Sequence, residues 1–124
     1  MGLVLHEGAL QIFNVEHGAC ALLTMPLAGN FHRILIDCGH NASKQWYPGP
    51  HLKQLGVTEL QLLVVTNYDE DHVSGFRNLI EQGINVHKIL RNPAVTPATI
   101  AHLKSEDGMG RGIDALVRVL THFP

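Results

Sequence analysis

The stretch Leu-Leu-Val-Val-Thr-Asn-Tyr-Asp-Glu-Asp-His-Val-Ser-Gly, residues 62–75, decides how this chain is interpreted. The run from Leu60 to Val65 consists mainly of leucine and valine, which is typical of a strand covered on both faces. It stops at Thr66, and a short polar segment follows before apolar residues return at helical spacing. The sequence therefore predicts a buried strand that passes through a tight polar loop into a helix.

Four oxygen or nitrogen donors lie within six residues of that loop: Asn67, Asp69, Asp71 and His72. A divalent ion needs several fixed ligands to replace its water, and a tight loop can fold such donors around one point. The cluster predicts a metal site with these four residues as ligands. A structural alternative is that Asn67 and Asp69 are turn residues, Asp71 is a helix N-cap and His72 is simply hydrogen-bonded. Spacing alone leaves both interpretations open.

Three short apolar runs precede the loop, at residues 9–15, 19–25 and 33–36. The Glu-His-Gly segment between the first two predicts a hairpin, and Pro26 with the residues after it predicts a second turn. The third strand is expected to stop at Asp37. The first part of the chain is therefore predicted to be a β-meander.

Helices and strands are predicted to alternate in the rest of the chain. Turn formers and Pro50 precede a short helix that closes at Gly56, and the helix after the polar loop ends at Gly83. Further elements are a strand at 86–90 and helices near 98–105 and 113–120. The predicted class is α/β or α+β, as one domain over residues 1–124.

Composition restricts the class of protein. The chain has 124 residues, 45% of them hydrophobic and 16% charged, as expected for one folded domain. A formal net charge of -2 gives no basic surface for nucleic-acid binding, although nucleic acid remains open as a substrate. No run approaches the ~18 apolar residues of a membrane span, and no secretory leader is recognisable. Cys20 and Cys38 are expected to be free, buried thiols, and the protein is expected to be cytoplasmic.

Two motifs carry a resemblance to a known family. Residues 62–75 resemble the Thr-His-x-His-x-Asp-His motif of the metallo-β-lactamase superfamily, followed by its glycine-containing helix start. Upstream, residues 34–39, Ile-Leu-Ile-Asp-Cys-Gly, resemble the strand-Asp-x-Gly segment of that family. The most similar branch is the nuclease-like domain of bacterial competence proteins for DNA uptake, in which the second histidine of the motif is already aspartate. The resemblance covers about residues 9–80 and implies the first half of an αββα sandwich.

The resemblance implies a role for each motif residue. Asp69 would be a ligand of a first metal, Asp71 and His72 ligands of a second, and Asp37 would support the site from beneath. Asn67 replaces a histidine of the family and offers a metal only a neutral oxygen. Its presence favours Mg²⁺ or Mn²⁺ over Zn²⁺, or a single ion. The implied activity is hydrolysis of a phosphodiester or related ester through a metal-activated water, which Asp71 would orient, with Asp37 as the second catalytic carboxylate.

The family's second half supplies further ligands, and this sequence is expected to end before most of them. His122 is interpreted as a helix-end residue rather than a ligand, and His40 as either a cleft residue or a solvated one. An alternative to the enzyme is a non-catalytic half-domain with a degenerate metal site. Such a half-domain would expose one apolar sheet face and would form a homo-oligomer or dock onto a second chain. The chain being a piece of a longer enzyme is the third possibility.

Overall fold

The computed structural model describes residues 8–107 and 111–122, apart from the side chains of residues 103–107, 111 and 122. Within this part of the chain the strands are β1 (Ala9–Ile12), β2 (Cys20–Leu27), β3 (Asn30–Cys38), β4 (Glu59–Leu60), β5 (Leu62–Val64), β6 (Asn85–Val86) and β7 (Ile89–Leu90). The helices are α1 (Pro48–Gln54), α2 (Glu70–Val73), α3 (Phe76–Glu81), α4 (Pro97–Asp107) and α5 (Arg111–His122). The class is α+β, as predicted.

A five-stranded sheet has the order β1-β2-β3-β5-β7. The first three strands are antiparallel neighbours, which makes the predicted β-meander. β5 then joins β3 in parallel, and β7 joins β5 in parallel. Parallel strands need crossover connections, and α1 and the α2–α3 pair lie in those connections. The loop after β5 therefore lies at the same end of the sheet as the loop after β3.

Two of the predicted strands are each divided between two sheets. The run Leu60 to Val65 breaks at Gln61, so that β4 pairs with β6 in a small separate sheet while β5 stays in the main one. At the break, Gln61 exchanges hydrogen bonds with Arg33: its amide donates to the Arg33 carbonyl, and its side-chain oxygen accepts from the Arg33 amide at 2.6 Å. The strand predicted at 86–90 divides in the same way into β6 and β7.

The second predicted turn forms within the expected segment, in the residues after Pro26. Pro26 is paired with Phe31 inside the β2–β3 ladder, beyond the end of β1. The chain reverses at Ala28 and Gly29, which both have positive φ angles, 52° and 82°. A two-residue turn of this handedness matches the twist of antiparallel strands, so the turn forms there and not at the proline.

The two faces of the five-stranded sheet have different surroundings. Leu22, Leu35 and Leu63 form a cross-strand row that is at most 1% exposed and belongs to one hydrophobic core with the helices. The neighbouring rows point to the opposite face because successive strand residues alternate. We call this second face the open face; its rows are Leu10, Leu23, Ile34, Leu62 and Ile12, Ala21, Ile36, Val64, Leu90.

The described helices are all too short or too polar to cross a membrane. Cys20 and Cys38 are both free and buried, as predicted, and they are cross-strand partners in β2 and β3.

Candidate functional site

Asp37 is the buried centre of the candidate site. It follows the core part of β3, has a positive φ of 58° and is 2% exposed. Aspartate tolerates this left-handed conformation better than most residues, which suits it to the irregularity in the β2–β3 pairing between Ile36 and Cys38. Thr66 donates two hydrogen bonds to its carboxylate, from the backbone amide at 2.9 Å and from the hydroxyl group. Asp37 thereby joins the ends of β3 and β5.

The same carboxylate holds His72 in one orientation. The distance from His72 Nδ1 to Asp37 Oδ2 is 3.0 Å, and because a carboxylate only accepts, Nδ1 must donate. In the neutral ring, Nε2 is then left with its lone pair, which is the form that binds a metal. Nε2 lies 3.8 Å from Asp71 Oδ1, and the Asp71 side chain is 47% exposed. His72 and Asp71 thus present two adjacent donor atoms at the surface.

The other two predicted ligands are arranged differently. The side-chain oxygen of Asn67 accepts a hydrogen bond of 2.8 Å from the backbone amide of Asp69. This local turn uses one of the two lone pairs of the only side-chain atom of Asn67 that can bind a metal. Asp69 itself is exposed and is the N-cap residue of α2, although its side chain caps no amide of that helix. The structural alternative therefore describes Asn67 and Asp69 well, with Asp69 and not Asp71 at the N-cap.

Glycines allow α2 to lie directly against the ends of β2 and β3. A Cβ atom on Gly18 would lie 1.9 Å from the carbonyl oxygen of Asp71, and one on Gly39 would lie 2.3 Å from it. A Cβ atom on Gly75 would lie 2.6 Å from the carbonyl oxygen of Cys38, which accepts the Gly75 amide at 2.7 Å. That bond accompanies the break between α2 and α3, which the sequence predicted as one helix. Close backbone contact fixes the position of the motif.

Glu70 ties the motif to α5. Its two carboxylate oxygens accept the backbone amides of Gly112 and Ile113, at 2.9 and 3.0 Å. These amides belong to the first turn of α5 and have no partner within the helix. The helix end also favours a negative charge, so Glu70 acts as an N-terminal cap supplied from a distant segment. No local pattern indicates this role, because glutamate in a polar loop is ordinarily solvated.

His40 is held beside the motif. The amide and Nδ1 of His40 lie 3.1 and 2.6 Å from the hydroxyl oxygen of Ser74, and its ring stacks on Tyr47 with centroids 4.8 Å apart. Of the two interpretations of His40, these contacts favour a fixed residue over a freely solvated one. Trp46 packs against Phe13, with ring centroids 4.9 Å apart. His122 ends α5, and its side chain lies outside the described part of the chain.

The buried thiols lie under the carboxylate. Burial raises the pKa of Cys20 to about 12, with a smaller contribution from Asp37. Burial also raises the pKa of Cys38 well above its usual value, with smaller effects from Cys20, Asp37 and Glu70. Both thiols are therefore neutral at physiological pH and are poor nucleophiles and poor metal ligands.

The residues described here fit part of a metal site. Nε2 of His72 and the carboxylate of Asp71 can take two neighbouring ligand positions on one ion. Within residues 8–107 and 111–122, no group of three or more histidine, cysteine, aspartate or glutamate side chains is arranged to hold a metal. A structural zinc site has four protein ligands and a catalytic one has three. Of the four predicted ligands, the described part of the chain thus brings His72 and Asp71 side by side.

Comparison with protein-family models, with curated proteins and with solved structures finds no match to this chain. The resemblance to the metallo-β-lactamase superfamily therefore rests on the motif residues.

Proposed function

We propose that this chain provides half of a metal-dependent hydrolytic site of the metallo-β-lactamase type, with a phosphodiester or related ester as substrate. One observation carries the proposal: buried Asp37 orients His72 so that Nε2 faces outward beside the Asp71 carboxylate. A carboxylate–histidine pair of this kind fixes the tautomer of metal-binding histidines and raises their basicity. His72 and Asp71 would hold the ion, and the remaining ligands would come from groups beyond the described residues.

The roles of the residues follow from their surroundings. A divalent ion, Zn²⁺ or Mn²⁺ or Mg²⁺, would supply the Lewis acidity for hydrolysis. Asp71 is exposed and can accept a proton from an attacking water, while Asp37 is enclosed and holds both Thr66 and His72 in place. The local turn at Asn67 leaves Asn67 and Asp69 as weaker candidates for ligands. The two neutral, buried thiols are typical of a reducing compartment, which supports a cytoplasmic location.

Metal titration tests the half-site. We expect isothermal titration with Mn²⁺ and with Zn²⁺ to detect binding to the wild-type chain. His72→Ala should weaken it by about 100-fold, and Asp37→Asn by about 10-fold, because loss of a supporting hydrogen bond typically costs 10–100-fold in affinity. The matched control is His87→Ala, since His87 is also near a carboxylate, 3.7 Å from Glu59, but lies away from the motif.

The outcome separates three cases. Binding that His72→Ala removes and His87→Ala leaves supports the proposal. Binding that both variants weaken equally would indicate scattered surface sites and contradict it. No binding of either ion to the wild-type chain would also contradict it, and circular dichroism spectra of the variants check that each one has folded.

A second candidate function is a non-catalytic module that associates through the open face of the sheet. The nine side chains of these two rows are all apolar and extend across five strands, about 20 Å at a spacing of ~4.8 Å, and the next row of the same face adds Met25 and His32. Ile12, Leu10 and Leu90 are 78%, 56% and 56% exposed. The described hydrophobic core and the side chains packed on it include none of the nine residues of this face. A continuous apolar face of this kind marks an association surface, and sheets commonly pack face to face.

The occupant expected on the open face is a second copy or a second chain that completes a two-sheet sandwich. Sedimentation velocity of the purified chain should detect a dimer, and Ile12→Glu should shift it to monomer. Leu55→Glu is the control, because Leu55 is 51% exposed on the helical side of the molecule. A wild-type chain that stays monomeric at high concentration would contradict self-association.

A further inference from the structure

An apolar groove lies at the edge of the main sheet, on the side away from β1. Its volume is about 730 Å³, which is in the range of ligand-binding cavities. The side chains of α3, β7 and α5 form it, among them Phe76, Ile80, Ile89 and Val119. Ile80 is 48% exposed although it occupies an apolar position of α3, because it borders this groove. Helix packing around Ile80 is thus incomplete at the sheet edge.

The groove runs beside a strand with one free edge. Among the described strands, β7 is at the end of the sheet and pairs with β5 alone, on its inner side. The carbonyl groups of Lys88 and Leu90 accept hydrogen bonds from the backbone amides of Leu63 and Val65. The backbone polar groups of Lys88 and Leu90 therefore point inward. Strand residues alternate, so the amide and carbonyl groups of Ile89 point toward the outer edge. An extended peptide could form hydrogen bonds there and place alternate side chains in the groove.

The charges around the groove have one sign. Among the described residues that line it, the ionisable ones are His87, Lys88 and Arg91. His87 is partly balanced by Glu59, at 3.7 Å. Arg91 donates to the carbonyl of Val95 at 2.9 Å, a neutral partner that fixes the side chain. The edge of the sheet thus combines an apolar groove on one face, Lys88 on the other face and Arg91 at the end, and no ion pair to Lys88 or Arg91 forms among the described residues, which makes the edge complementary to an acidic, partly apolar ligand.

We infer that this groove binds an extended peptide segment in which acidic residues alternate with apolar ones, and that the segment adds to β7 as a sixth strand. Apolar side chains of the segment enter the space between α3 and α5. Its acidic side chains lie on the other side of the added strand, within reach of Lys88, which precedes Ile89 and points to the opposite face. Arg91 receives an acidic group at the end of the groove. The inference is independent of the hydrolytic site, which lies at the carboxyl end of β5.

Fluorescence anisotropy with labelled six-residue peptides tests this inference. The probe alternates glutamate with valine, and the reference peptide alternates lysine with valine. The glutamate peptide should bind at least tenfold more tightly than the lysine peptide. Lys88→Glu should weaken its binding about tenfold, because it reverses a charge at the groove. Lys53→Glu is the matched control, because Lys53 is an exposed lysine of α1 that does not line the groove. This substitution should leave binding unchanged.

A second peptide separates strand addition from simple charge attraction. Methylation of alternate backbone nitrogens removes the donors that would pair with Ile89, and it should weaken binding at least tenfold. Equal binding of the methylated and unmethylated peptides would overturn strand addition. Displacement of the peptide by dodecanoate at equal concentration would assign the groove to a small amphipathic anion and overturn the inference. A wild-type dimer that Lys88→Glu alone converts to monomer would assign it to a second copy, with the same consequence.

Discussion

The motif at residues 66–72 has an inner part that contacts buried residues and an outer part whose side chains are exposed. On the inner side, Thr66 and the Nδ1 atom of His72 both donate to buried Asp37, and the backbone of α2 lies against glycines of two strand ends. On the outer side, Asn67, Asp69 and Asp71 are exposed. These hydrogen bonds and close backbone contacts leave no space for larger residues in the inner part. The exposed side chains of the outer part are not enclosed by these contacts, although the Asp71 carbonyl group lies against the glycines, so their identities reflect ligand chemistry or turn formation and not packing.

The largest effect should come from the glycine contacts of the inner part. Gly18→Ala would place a methyl group 1.9 Å from the Asp71 carbonyl oxygen, in addition to the strain of a φ of 82°. The strain alone costs roughly 1–2 kcal/mol. Displacing α2 adds a further ~1–3 kcal/mol, as for other overpacked sites. Urea denaturation should therefore show a loss of several kcal/mol in the free energy of unfolding.

Gly56→Ala is the matched control for this substitution. Gly56 has nearly the same φ, 79°, but nothing lies within 4 Å of the added methyl group. It should lose only the conformational part, roughly 1–2 kcal/mol. Equal losses in the two variants would mean that the contact between Gly18 and α2 does not restrain the motif.

A smaller effect is expected from removing the charge of the inner carboxylate. Asp37→Asn keeps a residue type that tolerates the left-handed backbone, but it replaces one acceptor oxygen with a donor that faces Thr66 or His72. We expect a loss of about 2 kcal/mol in the free energy of unfolding, the range for hydrogen bonds to charged groups. Asp71→Asn, on the exposed side, should change stability by less than about 0.5 kcal/mol. A reversed order in thermal or urea denaturation would contradict the division into inner and outer parts.

The smallest effect concerns the thiol under the site. The pKa of Cys20 is raised from 9.0 to about 12 in the folded chain, so the folded state holds its proton more tightly than the unfolded state does. The protonated thiol therefore contributes to the free energy of unfolding fully below pH 9, and this contribution is lost as the pH rises from 9 toward 12. At pH 10 the loss should be on the order of 1 kcal/mol relative to Cys20→Ala, which does not titrate there. Parallel stability curves of the two proteins above pH 9 would show that Cys20 is not buried as described.

Periodicity and turn chemistry predicted most of the fold. The antiparallel pairing of the first three strands, the helix predicted after Pro50, which begins at Pro48, and the helix near residues 113–120 follow from local patterns. The division of two strands at Gln61 and His87 could not be predicted. It depends on which neighbour each half meets, and an apolar run carries no information about its partner.

The candidate site was only partly accessible from the sequence. Clustering of donors indicated the position of the site, and the resemblance placed Asp37 beneath it. The local bond from Asp69 to Asn67 belongs to the turn interpretation, which spacing left open. The contact of Gly39 with Asp71 joins residues that are 32 positions apart, so no window of sequence contains it.

The cap that Glu70 provides to α5 has a consequence for the order of folding. Glu70 accepts hydrogen bonds from the amides of Gly112 and Ile113, which lie 42 and 43 residues further along the chain. Contacts of such separation form late, because a long loop must close before they stabilise anything. During synthesis, β5 and the motif would leave the ribosome well before Gly112 and Ile113 do. Helix α2, which bears Asp71 and His72, would therefore reach its final geometry only after α5 has emerged and docked.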